Sequence, residues 1–515
     1  MYDVIIVGWG PTGMTAANLL GRAGHRVAVF ERYRDIYPLP RVGGVHDDIF
    51  RIFQEIGIAD RVFPDGYVWK SYDLAHDGEV LFSSPMVQEA EHGWPQLVSL
   101  FQPYFEREYD SVARRSGVEI FQGQRLVGVD VDGETVSVEV EDVDTGARRA
   151  ESARFLIACD GGNSFVRDAV SLSMEHLGFD QDWLVVDGEI KRERAGWPEM
   201  RQMCDPAHPG MTMRMGQHHR RWAFMVYPDE SLEDAVKPES VWRRLDRSEG
   251  ATPEEIKLIR HAAYRFSAKL ADCWRKGPVF LAGDAAHLMP PYLGQGMCSG
   301  MRDAQNIAIK LDLVLRGLAS PRLLDSYEFE RKPNCRSFIL ESVRVGRTVI
   351  EQDPEKVRKR DEELRAAQAR STQQLGGYRS PPIAKGFIAS GERARGAGTI
   401  FVQGRVDVRG KTGRFDDLVG RGFMIVAREG DPRSNLSDPD LRLWERLGGK
   451  VATFGAGKPG ENDTHFIDAG GRYGALLDEA GCNVLLKRPD FHVFGMYPSV
   501  TDLPAALQDL RARLG

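Results

Sequence analysis

Residues 2–31 read YDVIIVG, then GWGPTG, then MTAANLLGRAG, then HRVAVFE. An apolar β-branched run, a glycine-rich turn, a helix-length apolar segment and a second β-branched run spell a βαβ unit. The glycines fall at Gly8, Gly10 and Gly13, directly after the first strand and at the start of the helix, and Glu31 closes the second strand. Glycines there let the backbone approach a pyrophosphate. The helix start supplies N–H donors and a positive dipole end, and the acid can accept from a ribose hydroxyl. The spacing alone is weak evidence, but strand, helix and acid are all in place and point to a bound dinucleotide. The competing reading is a purely structural glycine turn, and at this stage FAD and NAD fit equally.

Outward from this unit, Ile49, Ile52, Phe53 and Ile56 share one helical face over 47–57, with Asp47 or Asp48 as the expected cap. A second amphipathic helix is expected over 104–115. Alternation between 118 and 160 predicts strands of a small antiparallel sheet that return to the main one. Residues 176–275 carry strand-like stretches and predict a separate β-rich lobe, to which part of 70–100 also belongs. At 278 the chain re-enters a buried strand, PVFLAGD. A long helix then places Ala304, Ile307, Ala308, Leu311, Val314 and Leu315 at helical spacing, so the first domain is discontinuous. The expected units are 1–175, 176–275, 276–394 and 395–515. The charged stretch 340–370 reads as helix with a solvated face, and the last unit as a compact α/β domain.

Length and composition agree. At 515 residues the chain exceeds what one core organises. Hydrophobic residues at 42% and charged residues at 28% give the balance of an ordinary globular protein. A net charge of −7 without a basic block argues against nucleic acid as a partner. The chain opens straight into an apolar strand without a signal-peptide pattern, and no apolar run nears the roughly 18 residues of a membrane span. A cytoplasmic location and no membrane partner are therefore expected. The six cysteines form neither a CxxC pair nor a Cys/His cluster with metal spacing, so they are expected to be reduced and mostly buried, with no metal.

Two further loops follow buried strands. CDGGNSFVR at 159–167 combines Asp160, Gly161 and Arg167. GDAAHLMPPYLGQGMCSGMRDAQNIAIKL, from Gly283, puts Asp284 at a strand end, then a proline-stiffened turn, then glycines at a helix start. GxGxxG with an acid, a DG loop and GDAAHxxPPxxGQGM, in this order, resemble the single-component (group A) flavoprotein aromatic hydroxylases. GQGMCSGMRDAQNIAIKL is most similar to their 3-(3-hydroxyphenyl)propionate hydroxylase branch. The resemblance spans about residues 1–350. NVLLKRPDFHVFG is similar to the "RPD" strand of the thioredoxin-like C-terminal domain of phenol and polyketide hydroxylases. That domain holds no CxxC here, which leaves packing or a homodimer contact as its role.

The resemblance implies an α/β fold, with a Rossmann-like FAD-binding domain, an inserted β-rich substrate lobe and a C-terminal thioredoxin-like domain. It implies that Gly8, Gly10, Pro11, Thr12, Gly13, Glu31 and Arg32 hold the ADP half of FAD. Arg41 and Gln102 would stand at the pyrophosphate and ribityl region, and Gly283 and Asp284 at the ribityl chain. Asp160, Gly161 and Arg167 would serve both FAD and the nicotinamide cofactor, NADPH or NADH, for which no second Rossmann unit exists. Pro291, Gly294, Gln295, Gly296 and Met297 would face the flavin ring, where a helix N-terminus stabilises charge on the reduced isoalloxazine. The implied reaction is reduction of FAD by NAD(P)H, addition of O2 at flavin C4a, and oxygen transfer to a phenolic ring.

His46 is the candidate base, because histidine titrates in a suitable range; the alternative is a histidine that only caps the helix behind it. Some relatives carry an Asp in this loop, where this chain has Gly43 and Gly44. Met213, Met215, Met225 and Tyr227 are candidate walls for the substrate ring, Arg214 a candidate carboxylate partner and Pro290 a loop-shaping contact. For the methionines, plain core packing is the competing reading. A flavin halogenase would be expected to show WxWxIP, which is absent. A reductase, desaturase or epoxidase on the same fold, and a hydroxylase of polyketide-like compounds, remain as alternatives.

Overall fold

The computed structural model describes residues 1–370, 380–391 and 394–515. The strand Tyr2–Val7 pairs in parallel with Val27–Glu31 on one side and with the second half of Arg148–Ala158 on the other. Glu119–Gln122 and Val279–Leu281 extend the parallel sheet at its two sides. Val4, Ile5 and Ile6 are fully buried. A parallel strand covered on both faces needs such a continuous apolar run rather than alternation. The first half of Arg148–Ala158 pairs antiparallel with Thr135–Asp142, and that strand with Gln124–Asp132. The sheet is discontinuous in sequence, because Val279–Leu281 completes it after the whole β-rich segment has intervened.

That segment forms a second sheet of eight strands. Their order is His287–Leu288, Ile256–Ala271, Met174–Ile190, His219–Met225, Gly210–Met215, Met200–Met203, Ser71–His76 and Glu79–Pro85. The hairpin 71–85 joins through parallel pairing of Ser71–His76 with Met200–Met203. The helix Pro238–Glu249 covers one face, where Val241 and Leu245 pack with Leu184, Val186, Trp222 and Phe224. The opposite face carries Met200, Gln202, Met211, Met213, Met215, Ala223 and Met225, which the registers place on one side.

The helix Gln295–Leu315 packs against Pro11–Arg22. Ala304, Ile307, Ala308, Leu311 and Val314 on it are buried, and Leu315 is half-buried. The second helix begins at Gln102 and ends at Arg115. The helix Asp47–Ile56 buries Ile49, Ile52, Phe53 and Ile56 as the spacing requires, but its cap differs from the expectation. His46 occupies the N-cap, while Asp47 and Asp48 lie in the first turn. Their carboxylates are drawn elsewhere, Asp48 to the Arg302 guanidinium and Asp47 to the His92 backbone N–H.

The last unit has a five-stranded sheet in the order Thr464–His465, Lys450–Gly457, Met424–Gly430, Val484–Lys487 and Val493–Tyr497. Its first three strands run parallel and the last two antiparallel, with helices Asp438–Arg446, Arg472–Ala480 and Leu503–Leu514, the arrangement of a thioredoxin-like domain. It is joined to the rest by buried charge. Arg51 bonds Asp416 through both Nε (2.7 Å) and Nη2 (2.8 Å), with both side chains fully buried. Arg488 and Asp490, just past strand Val484–Lys487, meet Glu330 and Asn306 of the long helices, where Lys310 also pairs with Glu330.

All six cysteines are free; Cys273 is exposed, Cys159 half-buried and the others buried. Among the described residues no helix is long and apolar enough to cross a membrane. Replacing Asp416 by Ala would leave the Arg51 guanidinium buried without its counter-ion, which costs about 3–5 kcal/mol. Urea unfolding of D416A should therefore show a loss of that size; a loss below about 1 kcal/mol would mean that Arg51 is not held in isolation.

Candidate active site

The first loop is built by contacts that leave no space for side chains. Gly8 has φ +102°, and a Cβ there would lie 2.3 Å from the Cys159 carbonyl oxygen. A Cβ on Gly13 would lie 2.1 Å from the Gly8 oxygen. The loop therefore rests directly on the Cys159–Asp160 turn, and Thr12 fits against Gly283 and Gly300 in the same way. Glu31 pins the loop, since its carboxylate accepts from Trp9 N (2.7 Å) and Tyr33 N (2.9 Å). Gly10 is the N-cap of Pro11–Arg22 without a side-chain cap, and a Cβ on it would meet nothing within 4 Å. The first N–H groups of this helix thus open onto empty space of the kind a phosphate fills.

The neighbouring groups continue in one direction from this helix start. Arg41 is exposed, stacked 4.6 Å from the Tyr37 ring centroid, and Arg32 is exposed beside Tyr33. Gln102 is buried and does not point into the cleft. Its Oε1 accepts from Arg41 N (2.8 Å) and Val42 N (3.0 Å), and its Nε2 donates to Glu106 (2.7 Å), so it holds the Arg41 backbone in place. Burial pushes Glu106 up to about 7, against the opposing pull of Gln102 and Arg41.

Asp284 is open to the cleft but surrounded by protein. Desolvation raises its pKa, and His287 and Arg41 pull it back. Its carboxylate has no hydrogen-bond partner among the described residues. Asp160 accepts from Val166 N (3.0 Å) with Oδ2, while Oδ1 is buried without a partner. Arg167 donates to the Gly162 and Ala285 carbonyls, at 3.1 and 3.3 Å, and so ties the 160 and 284 loops together.

At the far end, Gly294 (φ +64°) is the N-cap of Gln295–Leu315, again without a side-chain cap. Gln295 is buried and accepts from Arg302 (2.8 Å), which is itself paired with Asp48. Met297 is buried, Gly296 half-buried, and Pro290 accepts from Ser342 Oγ (2.5 Å), which fixes the turn that contains Pro291. His46 lies here, near the Leu293 carbonyl, with Nε2 buried and unpartnered. Desolvation, reinforced by the Arg302 charge, lowers its pKa to about 4 despite Asp48 and Leu293. His46 is thus a neutral hydrogen-bonding imidazole at neutral pH, whereas the sequence suggested a base that titrates in that range.

The substrate-lobe face stands over the same place. The Met213 sulfur would lie 2.7 Å and Met215 3.3 Å from a Cβ on Gly43, and the Tyr72 hydroxyl donates to the Tyr292 carbonyl at 3.3 Å. Met225 shares this face. Arg214 does not join Met213 and Met215. Successive strand residues point to opposite faces, and its guanidinium is taken up by Glu193 (2.7 Å) and the Gln217 carbonyl (2.6 Å). Tyr227 lies past the strand end, where its hydroxyl donates to the Pro206 carbonyl (2.5 Å).

Sequence reasoning missed the groups that hold the 40–46 loop. Arg221 and Arg260, both bonded to the fully buried Asp187, donate to the Pro40 carbonyl at 2.6 Å, and Arg221 also to that of Arg41 at 2.9 Å. It also missed a buried cluster under the 284 loop. Asp303 accepts from Gly283 N (3.2 Å), His287 Nε2 (2.7 Å) and Arg331 Nε (2.9 Å), with Cys335 close by. His287, Asp303 and Cys335 lie within metal-ligand range of one another, but the Arg331 guanidinium supplies the positive charge there.

Taken together, the cleft offers an open helix start, an exposed Arg, unpartnered carboxylate oxygens and a second open helix start, in the order phosphate, ribityl and ring. Residues 1–342 match the FAD binding domain family, and residues 398–513 the HcaD C-terminal domain. A probable NADH-specific resorcinol 4-hydroxylase of Rhodococcus jostii is 35% identical, covering 99% of this chain and 94% of that protein. A 3-(3-hydroxy-phenyl)propionate/3-hydroxycinnamic acid hydroxylase of Mycolicibacterium gilvum is 34% identical over 95% of this chain and 88% of its own. Two solved structures share the fold over 99% of both chains. They are the flavin-dependent monooxygenase PieE with FAD and substrate (TM-score 0.84, 21% identity) and aklavinone-11 hydroxylase with FAD and aklavinone (TM-score 0.81, 22% identity).

Gly10→Val should leave the unfolding midpoint of the FAD-free protein unchanged, since the side chain enters open space, but weaken FAD at least about tenfold, or about 1.4 kcal/mol. Unaltered FAD affinity, measured by flavin fluorescence, would show that the phosphates lie elsewhere. With two glycine-opened helix starts flanking one cleft and a family match over the same residues, the chain belongs to the FAD-dependent aromatic hydroxylases.

Proposed function

We propose that this chain hydroxylates a small phenolic ring, consuming NADH or NADPH and O2 in the cytoplasm. The observation that carries the reading is the approach of Met213 and Met215 onto Gly43, in the loop that leads to His46, whose ring in turn meets the Leu293 carbonyl. In this reading a flat substrate ring would lie between the methionine face and a cofactor ring at the Gly294 helix start. The relatives named for resorcinol and for hydroxyphenylpropionate support a phenol, and the probable NADH specificity of the first favours NADH.

FAD, when bound, supplies electron transfer from the nicotinamide and activation of oxygen. Gly8, Gly10, Gly13, Glu31 and Arg41 would hold its nucleotide half, Asp284 and Asp160 its ribityl chain, and the Gly294–Met297 helix start its ring. The remaining work falls to side chains of this chain. The inner sheet face excludes water and orients the ring. His46, neutral and with Nε2 free, accepts a hydrogen bond from the phenol hydroxyl and so raises electron density on the ring. It does not store the proton, because its conjugate acid lies well below neutral pH. The Arg221–Asp187–Arg260 clamp keeps the 40–46 loop, and with it His46, against the lobe.

The test is a panel of phenols scored for stimulated NAD(P)H oxidation, with product analysed after reaction under 18O2. One labelled oxygen in a hydroxylated ring is expected; NAD(P)H consumption with no label in product would favour a reductase or desaturase. His46→Ala should retain FAD yet lower the coupled rate about tenfold, the size expected when one hydrogen bond of about 1.4 kcal/mol to the reacting hydroxyl is lost. Across pH 5.5–8 the kcat/KM profile should lack an acid limb near 6.5, because His46 stays neutral down to about 4. An unchanged coupled rate in the variant would remove His46 from this role.

A further inference from the structure

One polar group on the inner sheet face has no role in the account so far. Gln202 is fully buried, and its Oε1 has no hydrogen-bond partner among the described residues, while its Nε2 has only the Tyr72 oxygen nearby. By register it faces Met211 on one neighbouring strand and Leu74 on the other, with Met200 two residues before it on the same side. The Tyr72 hydroxyl gives its proton to the Tyr292 carbonyl and can accept from Gln202 Nε2, but it has no second proton to offer Oε1. A buried amide oxygen left unpaired among apolar side chains costs about 1–3 kcal/mol, so a methionine would serve this position better if packing were its only task.

The same face looks onto the site. Met213 and Met215 touch the 41–44 loop, Tyr72 reaches the 290–293 turn, and Trp183 on this face meets the Tyr292 ring with centroids 5.8 Å apart. We infer that the Gln202 amide binds a second hydroxyl of the substrate, so that the ring taken is an uncharged dihydroxybenzene. This rests on the hydroxylase reading given above.

An amide offers one acceptor and two donors in a plane, the complement of an O–H that both donates and accepts. A carboxylate-bearing side chain needs a cation at this depth, because burying an unpaired charge is far costlier than burying a hydroxyl. Arg221 and Arg260 on this face share the one Asp187 carboxylate and direct further N–H groups to the Pro40 and Arg41 carbonyls, away from Gln202, and Arg214 faces Glu193 on the other side. A neutral hydroxyl is the group that Gln202 can satisfy without leaving a charge unpaired.

The experiment uses the full chain loaded with FAD and three probes: 1,3-dihydroxybenzene, phenol and 3-(3-hydroxyphenyl)propionate. Substrate binding is followed through the flavin absorbance change, and turnover through coupled hydroxylation. Gln202→Met preserves volume and removes the amide, and Gln202→Leu replaces it if the Met variant fails to retain FAD. The native chain should favour the dihydroxybenzene. The variant should bind it about 10- to 100-fold more weakly, with KM raised in step, the size expected when one buried hydroxyl loses its partner. Phenol should change by less than about twofold.

Equal losses on both rings, no loss on either, or a native preference for the propionate would each overturn the assignment of Gln202 while leaving the hydroxylase reading intact. A native chain that hydroxylates none of the three would overturn that reading, and this inference with it.

Discussion

The architecture depends on backbone meeting backbone where no Cβ intervenes. Gly8 lies on the Cys159 carbonyl, Gly13 on Gly8, and Gly283 with Gly300 on Thr12. These contacts draw three loops, far apart in the chain, to the C-terminal edge of one parallel sheet, where helix starts and strand ends already converge. The pyrophosphate end and the ring end of the cleft are therefore set by the same packing. A single added methyl at Gly8 or Gly13 would push the loops apart by more than a side-chain adjustment can absorb.

Polar groups then stiffen what the glycines allow. Gln102 holds the 41–42 segment by its amides and the Arg221–Asp187–Arg260 trio holds 40–41 by its carbonyls, so one short loop is gripped from the first domain and from the lobe together. Asp303 does the same for the 283–287 turn. The Asp187 and Asp303 grips bury each carboxylate against guanidinium groups, as low dielectric requires.

The sequence carried the local features well. GxGxxG, the DG loop and the GDAAHxxPP turn are contiguous, their geometry follows from glycine and proline chemistry, and the structure brings them to one cleft. The discontinuous first sheet was legible too, because PVFLAGD is a continuous apolar run. What depended on pairing between distant strands was not. Nothing near Asp187 in sequence announces Arg221 or Arg260, and Gln202 looks like any strand glutamine until its register with Met211 and Leu74 is known. Gln102, expected at the pyrophosphate and ribityl region, is engaged by the Arg41 and Val42 N–H groups and by Glu106, contacts that no motif displays. Arg214 is instructive in another way. Strand alternation alone turns it away from Met213 and Met215, so an Arg214 that meets a substrate carboxylate beside those wall residues ran against the period of two.

The RPD turn after strand Val484–Lys487 bears on how such proteins can diverge. Arg488 and Asp490 complete a ring of opposite charges with Glu330, Lys310 and Asn306 of the helices beneath. Each half is neutral alone, Arg488 with Asp490 and Glu330 with Lys310, but separating them would leave buried polar groups without their cross-partners. The tail is therefore not an exchangeable module: grafting it between relatives, or shedding it in evolution, requires the long helices to change at the same time, and the two segments are expected to be inherited as one block.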